Sequence, residues 1–182
     1  MTRTKVPTVF LDRDGVINRR IMADYVTCLA EFQLLPGVLE AIARLTRAGF
    51  RLAVVTNQRG IAVGRMSRTD VDRVHRHLSE RVAELGGHLA EFYVCPHDRD
   101  EGCGCRKPDP GLLDQADRTL AVDWEASFLV GDSDSDIRAG AARGVTTVKV
   151  AGRGEAIADH YAADLPEAVA WILDRLEGGS PV

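Results

Sequence analysis

Val9-Phe10-Leu11-Asp12-Arg13-Asp14-Gly15 is an apolar run followed by two carboxylates, two residues apart, and a glycine. The apolar residues predict a buried β-strand, and Gly15 allows the backbone to turn away after it. Side chains two residues apart on a strand share a face, so Asp12 and Asp14 project together from the strand end. Two such carboxylates repel each other unless a divalent cation lies beside them. The stretch predicts a strand that ends at a cation site, with an ordinary polar turn as the alternative.

Length and composition indicate one soluble globular domain over residues 1–182, with a loose tail at Gly178–Val182. The net charge of -4 argues against a general nucleic-acid-binding surface. No apolar run is long enough to cross a bilayer, and no signal-peptide core follows Met1–Lys5. We therefore expect a cytoplasmic protein without nucleic-acid or membrane partners.

Strand and helix patterns alternate along the chain. Apolar runs predict five strands, at Thr8–Leu11, Arg51–Thr56, Ala90–Val94, Ser127–Val130 and Thr146–Val150. Amphipathic spacing predicts helices at Gly37–Ala48, from Ser67 or Thr69 to Leu85, from Asp109-Pro110 to Leu120, at Asp136–Arg143 and at Leu165–Leu176. This order predicts an α/β fold of three layers, a parallel sheet with helices on both faces. Ligands bind outside the carboxyl ends of such strands, where Asp12, Thr56, Cys95 and Asp132 follow the first four.

Polar side chains at this edge of the sheet can bind a phosphate. Thr56-Asn57-Gln58 offers a hydroxyl and two amides. Arg106-Lys107 places two cations before a predicted helix N-terminus, which itself favours anions. Asp132 adds a third carboxylate, and since Asp134 or Ser135 can cap the next helix, Asp132 remains available for a metal ion.

A loop over residues 95–105 has the composition of a zinc site. Its candidate ligands are Cys95, His97, Cys103 and Cys105. Three sulfurs and one imidazole suit a closed tetrahedral, structural Zn²⁺ site, with inert thiols as the alternative. The ion would stiffen the loop that delivers Arg106-Lys107, whereas Cys28 stands alone and is interpreted as a spare thiol.

Four motifs occur in a fixed order along nearly the whole chain: Asp12-x-Asp14-Gly15, Thr56, Lys107 and Gly131-Asp132. This order resembles the signature of the haloacid dehalogenase superfamily. The resemblance implies a Mg²⁺-dependent phosphatase with an aspartyl-phosphate intermediate. It makes Asp12 the nucleophile and Asp14 the general acid that later activates water. Thr56 and Lys107 would hold the phosphoryl group, and Mg²⁺ would be bound by Asp12, the main-chain carbonyl of Asp14, and Asp132.

The cysteine loop, followed by Arg106-Lys107-Pro108, resembles two related groups of that superfamily. These are the D-glycero-D-manno-heptose 1,7-bisphosphate phosphatases and the histidinol-phosphate phosphatases. Tyr25-Val26, Asn57–Ala62 and Pro108–Gly111 are more similar to the heptose group. The implied reaction is removal of the 7-phosphate, with histidinol-phosphate hydrolysis as the alternative. A non-catalytic zinc-stabilised interaction domain is the alternative outside enzymes. These groups lack a large cap domain, which favours a monomer.

The resemblance also implies the substrate contacts, which are Tyr25, Asn57, Gln58, Arg59 and Arg106. Asp136 would orient the site from behind. Two features depart from the heptose pattern: Ser133 stands where a lysine is common, and residues 19–24 are longer than expected. These departures leave the exact sugar and its anomer open.

Histidines outside the cysteine loop are predicted to have no role. His75 and His77 lie on the long amphipathic helix, and we expect both to be in solvent.

Overall fold

The computed structural model describes residues 4–177, and it confirms the α/β fold. The strands are β1 (Thr8–Leu11), β2 (Arg51–Asn57), β3 (Glu91–Cys95), β4 (Phe128–Gly131), β5 (Thr146–Val150) and β6 (His160–Ala162). The helices are α1 (Val38–Arg47), α2 (Arg68–Glu84), α3 (Gly111–Leu120), α4 (Asp134–Ala141) and α5 (Leu165–Glu177). The predicted tail, Gly178–Val182, lies outside the described residues.

All six strands are parallel and lie in the order β3-β2-β1-β4-β5-β6. The chain runs outward from β1 to β3 and then returns to place β4 on the other side of β1. Leu11 at the end of β1 is therefore paired with Val54 of β2 and with Val130 of β4. A crevice forms at the carboxyl ends of β1 and β4, because the crossovers diverge there.

Alternate residues of β1 pack into two hydrophobic cores. Val9 and Leu11 contact the core formed with α1, α2 and α5, whereas Phe10 contacts the core formed with α3. This alternation follows from the two-residue period of a strand, and it gives the three predicted layers. Within the described part of the chain, the segments from β1 to α1 and from β2 to α2 are loops, with one 3-10 turn at Leu29–Glu31. Neither segment contains a cap domain.

No helix among residues 4–177 combines the length and the apolar character that crossing a membrane requires.

Several element boundaries differ from the predictions by one or two residues, and one strand was not predicted. Helix α4 begins at Asp134 rather than Asp136, because the Asp136 carboxylate accepts hydrogen bonds from the Ser133 N–H and hydroxyl and so places the N-cap at Ser133. Helix α3 begins at Gly111, just after the predicted Asp109-Pro110 start. Strand β6 is three residues long and has no apolar run, so its pairing with β5 is a tertiary effect.

His75 is buried, so the prediction that it lies in solvent is wrong. It occupies the same stripe of α2 as Val71 and Leu78, and only 4% of its surface is exposed. Its ring stacks on Phe92 of β3 with a centroid distance of 4.3 Å. A helix position four residues after Val71 and three before Leu78 faces the core whatever its residue type.

Candidate active site

A cavity of about 650 Å³ opens at the carboxyl ends of the strands. It is lined by every side chain that the sequence suggested for catalysis, substrate contact or Mg²⁺ binding: Asp12, Asp14, Tyr25, Thr56, Asn57, Gln58, Arg59, Arg106, Lys107 and Asp132. The β1, β2 and β4 ends supply its floor, and the loops that follow them supply its walls.

Three carboxylates meet at the floor of the cavity. Oxygens of Asp12, Asp132 and Asp136 all lie within 4.8 Å of one another. Lys107 Nζ lies 2.7 Å from Asp12 Oδ1 and 2.5 Å from Asp136 Oδ1, and it also donates to the Val55 carbonyl. One ammonium group thus serves two carboxylates.

Burial and mutual charge shift the pKa values of Asp12 and Lys107. It raises the pKa of Asp12 to about 7 against the attraction of Lys107, and the charges of Asp136 and Asp132 add to the rise. Burial alone would lower the pKa of Lys107, but Asp12 and Asp136 outweigh it and raise that pKa. Because the carboxylates outnumber the buried ammonium, this set of oxygen donors fits a hard divalent cation.

Asp132 also contacts a cation at the cavity wall. Arg20 Nη1 lies 2.7 Å from Asp132 Oδ2, and about half of the Arg20 side chain is exposed. Burial raises the pKa of Asp132, and the Arg20 charge opposes that rise. The same oxygen, Oδ2, lies beside Gly15, where φ is +96° and an added Cβ would lie 2.2 Å from it. The bare backbone at Gly15 is what allows this close approach.

Asp14 is held by three donor side chains. Arg13 Nη2 donates to both oxygens at 3.0 and 2.9 Å, Asn18 Nδ2 donates at 2.8 Å, and Gln58 Nε2 donates at 3.0 Å. Burial would raise the pKa of Asp14, but the Arg13 charge and these hydrogen bonds lower it overall. The carboxylate therefore has a fixed orientation and is stabilised as an anion.

The end of β2 is hydrogen-bonded to the backbone of Lys107. The Asn57 amide donates to the Lys107 carbonyl at 3.0 Å and accepts from the Lys107 N–H at 3.1 Å. Thr56 is almost fully buried, and its hydroxyl accepts a hydrogen bond from Gln58 Nε2 at 2.8 Å. Strand β2 therefore positions the backbone of Lys107, which lies 50 residues further along the chain.

Two arginines and a tyrosine lie nearer the mouth. Arg59 forms an ion pair with Asp98 and approaches the Tyr25 hydroxyl at 3.4 Å. Arg106 Nη1 donates to the His97 carbonyl at 3.3 Å. These contacts attach the cationic mouth of the cavity to the cysteine loop.

The cysteine loop brings its four candidate ligands to one point. Cys95 Sγ lies 3.7 Å from His97 Nδ1 and 3.8 Å from Cys103 Sγ. Cys105 Sγ lies 3.3 Å from His97 Nδ1 and 3.5 Å from Cys103 Sγ. A tetrahedral ion with metal–sulfur bonds of about 2.3 Å would separate its sulfur ligands by about 3.8 Å. The spacing therefore fits a tetrahedral metal ion.

The sequence did not indicate three polar residues near the cavity. Arg13 and Asn18 have no exposed surface, and Arg20 follows them in the longer segment at residues 19–24. Arg13 lies beyond the end of β1 and contacts Asp14, so the two-residue period of a strand does not predict its position. No sequence pattern indicated the Arg20 contact.

Comparison with known proteins gives consistent relatives. A HAD-hydrolase-like family model matches residues 104–177. The D-glycero-alpha-D-manno-heptose-1,7-bisphosphate 7-phosphatase of Mycobacterium tuberculosis is 44% identical over 150 residues, which cover 79% of each chain. The D-glycero-beta-D-manno-heptose-1,7-bisphosphate 7-phosphatase of Pseudomonas putida is 43% identical over 148 residues, covering 81% of this chain and 84% of the relative.

A solved structure is similar over almost the full length. It is the D,D-heptose 1,7-bisphosphate phosphatase of B. bronchiseptica, complexed with magnesium and phosphate, at a TM-score of 0.85 and 33% identity. The match covers 93% of this chain and 99% of that one. On this identity and coverage, the chain belongs to the haloacid dehalogenase superfamily of hydrolases, in the family of the heptose 1,7-bisphosphate phosphatases.

Proposed function

We propose that the protein is a Mg²⁺-dependent phosphatase that removes the 7-phosphate of a D-glycero-D-manno-heptose 1,7-bisphosphate. The observation that carries this proposal is the meeting of Asp12, Asp132 and Asp136 around Lys107 at the switch point between β1 and β4. Relatives that share 43–44% of the aligned residues are named as 7-phosphatases of this sugar.

Asp12 is the proposed nucleophile. One of its oxygens attacks phosphorus, and the bond from phosphorus to the sugar oxygen breaks while Asp14 gives that oxygen a proton. Because Asp14 is an anion in the free site, it first takes up this proton from the substrate, which binds as the phosphate monoanion. Asp14, now an anion, takes a proton from water, which attacks the aspartyl phosphate and regenerates the Asp12 carboxylate. Lys107 and Thr56 hold the phosphoryl oxygens throughout, because phosphoryl transfer depends mainly on positioning and charge compensation.

Mg²⁺ would be held by Asp12, the main-chain carbonyl of Asp14, and Asp132. When bound, it supplies positive charge that allows an anionic carboxylate to approach an anionic phosphate. Asp136 keeps Lys107 in place from behind, through the ion pair and through the cap of α4.

The tetrahedral site in the cysteine loop would hold a structural Zn²⁺. Its ligands would be Cys95, His97, Cys103 and Cys105, which fill all four positions and leave none for substrate. Since Arg106 and Lys107 follow Cys105 directly, the ion would fix the segment that delivers them.

The substrate wall is proposed to consist of Tyr25, Asn57, Gln58, Arg59 and Arg106. All of them line the cavity, and its mouth carries arginine cations. Such a mouth suits a substrate with a second phosphate at the far end of the sugar.

We also propose that the protein works as a monomer in the cytoplasm, with a small phosphorylated substrate as its partner. The thiols of Cys95, Cys103 and Cys105 are close together and unpaired, which suits a reducing compartment.

The experiment that tests this function compares phosphate release from both anomers of the heptose 1,7-bisphosphate and from histidinol phosphate, each at equal concentration. We expect a heptose bisphosphate to give the highest kcat/KM. A preference for histidinol phosphate would reverse the assignment, and release from none of them would favour a zinc-stabilised interaction domain.

Asp12→Asn is the control variant for this experiment. It should lower turnover by at least about a thousandfold, because the nucleophile is lost. Its circular dichroism and zinc content should stay as in the wild type. Undiminished turnover would overturn the assignment of Asp12 as the nucleophile.

A further inference from the structure

Arg13 lies between the general acid and a buried histidine. None of its surface is exposed. Nη2 faces Asp14 and also donates to Gln58 Oε1 at 3.3 Å, whereas Nη1 lies 3.4 Å from His75 Nε2. Among residues 4–177, Nη1 has no hydrogen-bond acceptor other than this ring nitrogen. The guanidinium therefore connects α2 to Asp14.

The chemistry of the contact fixes the state of the histidine. A guanidinium only donates hydrogen bonds, so Nε2 must be the unprotonated acceptor and the ring proton must be on Nδ1. Burial, followed by the charge of Arg13, lowers the pKa of His75 to about 3, so the ring is neutral at ordinary pH. Stacking on Phe92 fixes the plane of the ring.

Packing alone does not require a histidine at this position. The neighbouring core positions of α2 are Val71, Val74 and Leu78, and an apolar residue at position 75 would continue that stripe. Such a residue would leave a buried Arg13 N–H without an acceptor, which is unfavourable because the group has also lost its contact with water.

We propose that His75 is a positioning residue for Asp14: as the neutral Nδ1–H tautomer it accepts a hydrogen bond from Arg13 and holds the guanidinium against the Asp14 carboxylate. The inference rests on the proposed function only in giving Asp14 the acid–base role. The Asn18 and Gln58 donors hold Asp14 from other sides, so His75 adjusts its orientation without touching the substrate.

The test uses two variants at one position. His75→Phe keeps an aromatic ring for the Phe92 stack and removes the acceptor, whereas His75→Gln keeps an acceptor oxygen. We expect His75→Phe to lower kcat about tenfold with KM within twofold, since displaced catalytic groups lose rate more than binding. His75→Gln should recover most of that loss. A kcat within twofold of wild type in His75→Phe, or an equal loss in both variants, would overturn the proposal.

Both kcat values are measured with a heptose 1,7-bisphosphate and with p-nitrophenyl phosphate. Asp14 activates water against the same aspartyl phosphate whatever the leaving group, so the loss should appear with both substrates. If the wild type hydrolyses only p-nitrophenyl phosphate, the proposed sugar is wrong. The kcat values of His75→Phe and His75→Gln with p-nitrophenyl phosphate then still test the role of His75.

Nitrogen NMR of the wild-type protein tests the tautomer without any variant. At pH 7 the His75 ring should show an unprotonated Nε2 and a protonated Nδ1. A proton on Nε2, or a doubly protonated ring, would overturn the proposal even if the variants fail to fold.

Discussion

Arg20 and the proposed Mg²⁺ ion compete for the carboxylate of Asp132. The ion pair is partly exposed, and such pairs are worth about 0.2–1 kcal/mol. We therefore predict that Arg20→Gln strengthens divalent-metal binding, by roughly 1.4- to fivefold on that scale. The measurement is the dissociation constant of Mn²⁺ from the substrate-free protein, with free Mn²⁺ detected by electron paramagnetic resonance.

Arg19→Gln is the matched control for this prediction. Arg19 is an exposed neighbour that forms no ion pair within residues 4–177, and its substitution changes the net charge equally. Unchanged or weaker Mn²⁺ binding in Arg20→Gln, or the same gain in Arg19→Gln, would contradict a specific competition at Asp132.

Sequence reasoning located the acidic floor of the cavity because its signals are local. Asp12 and Asp132 each follow an apolar run, and parallel strands bring their carboxyl ends together. His75 was misassigned because its polar character was given more weight than its place on the helix stripe. Arg20 lies in a loop, and the conformation of a loop is set by tertiary contacts that no spacing rule encodes.

The cysteine loop, residues 95–105, is the element whose loss should affect catalysis indirectly. Cys103→Ser should reduce zinc content and lower activity by about tenfold or more, as loss of a supporting metal contact does, because Lys107 loses its position. Mn²⁺ binding at the carboxylates should remain, since Asp12 and Asp132 lie outside the loop. Zinc analysis and phosphate release at saturating Mg²⁺ measure both effects.

Cys28→Ser is the matched control, since Cys28 is exposed and lies outside the loop. It should keep its zinc and its activity. A Cys103→Ser protein that loses zinc and remains fully active would disprove the delivery role of the loop.

Helix α2 should contribute an acid-sensitive part of the stability through His75. Burial and Arg13, with Arg68, oppose protonation of the ring, whereas Asp72 and Asp14 favour it, and the pKa falls from 6.5 to about 3. Above pH 6.5 both states hold the ring neutral. As pH falls from 6.5 towards 3, only the unfolded chain takes up the proton, so the free energy of unfolding falls by about 1.4 kcal/mol per pH unit.

Urea unfolding at pH 7 and pH 5 measures this contribution. The loss of stability between the two should be smaller in His75→Phe than in the wild type by about 2 kcal/mol. Titration of the cysteine loop affects both proteins and cancels in the difference. An equal loss in both proteins would show that His75 is not neutral and buried.

Helices and strands with a clear hydrophobic period were predicted to within a residue or two. Elements without such a pattern were not predicted. The stripe of α2 and the apolar run of β1 appear where expected. Strand β6 has no such pattern, and it exists because β5 offers a free edge. The start of α4 was displaced by a cap that depends on Asp136 as well as on Ser133.

The whole molecule should unfold in one step, because both cores share one sheet. Each core has a tryptophan at its margin: Trp171 packs against the core of α1, α2 and α5, and Trp124 packs against the core of α3. Trp171→Phe therefore keeps only the reporter beside the core of α3, and Trp124→Phe keeps only the reporter beside the core of α1, α2 and α5.

We expect the two reporters and far-ultraviolet circular dichroism to give the same fractional unfolding curve in urea within each variant. Curves from fluorescence and circular dichroism that separate in either variant would mean that the two faces unfold independently. In that case the chain would not be the single cooperative domain that its length and sheet suggest.

Gly15 shows that this site depends on the absence of a side chain at one position as well as on charges. A methyl group there would occupy the space of the Asp132 carboxylate. We therefore expect any side chain at Gly15 to displace the Asp132 carboxylate, although Gly15 itself contributes no chemical group. A mutagenesis study that chose positions only by the reactivity of their side chains would not include Gly15.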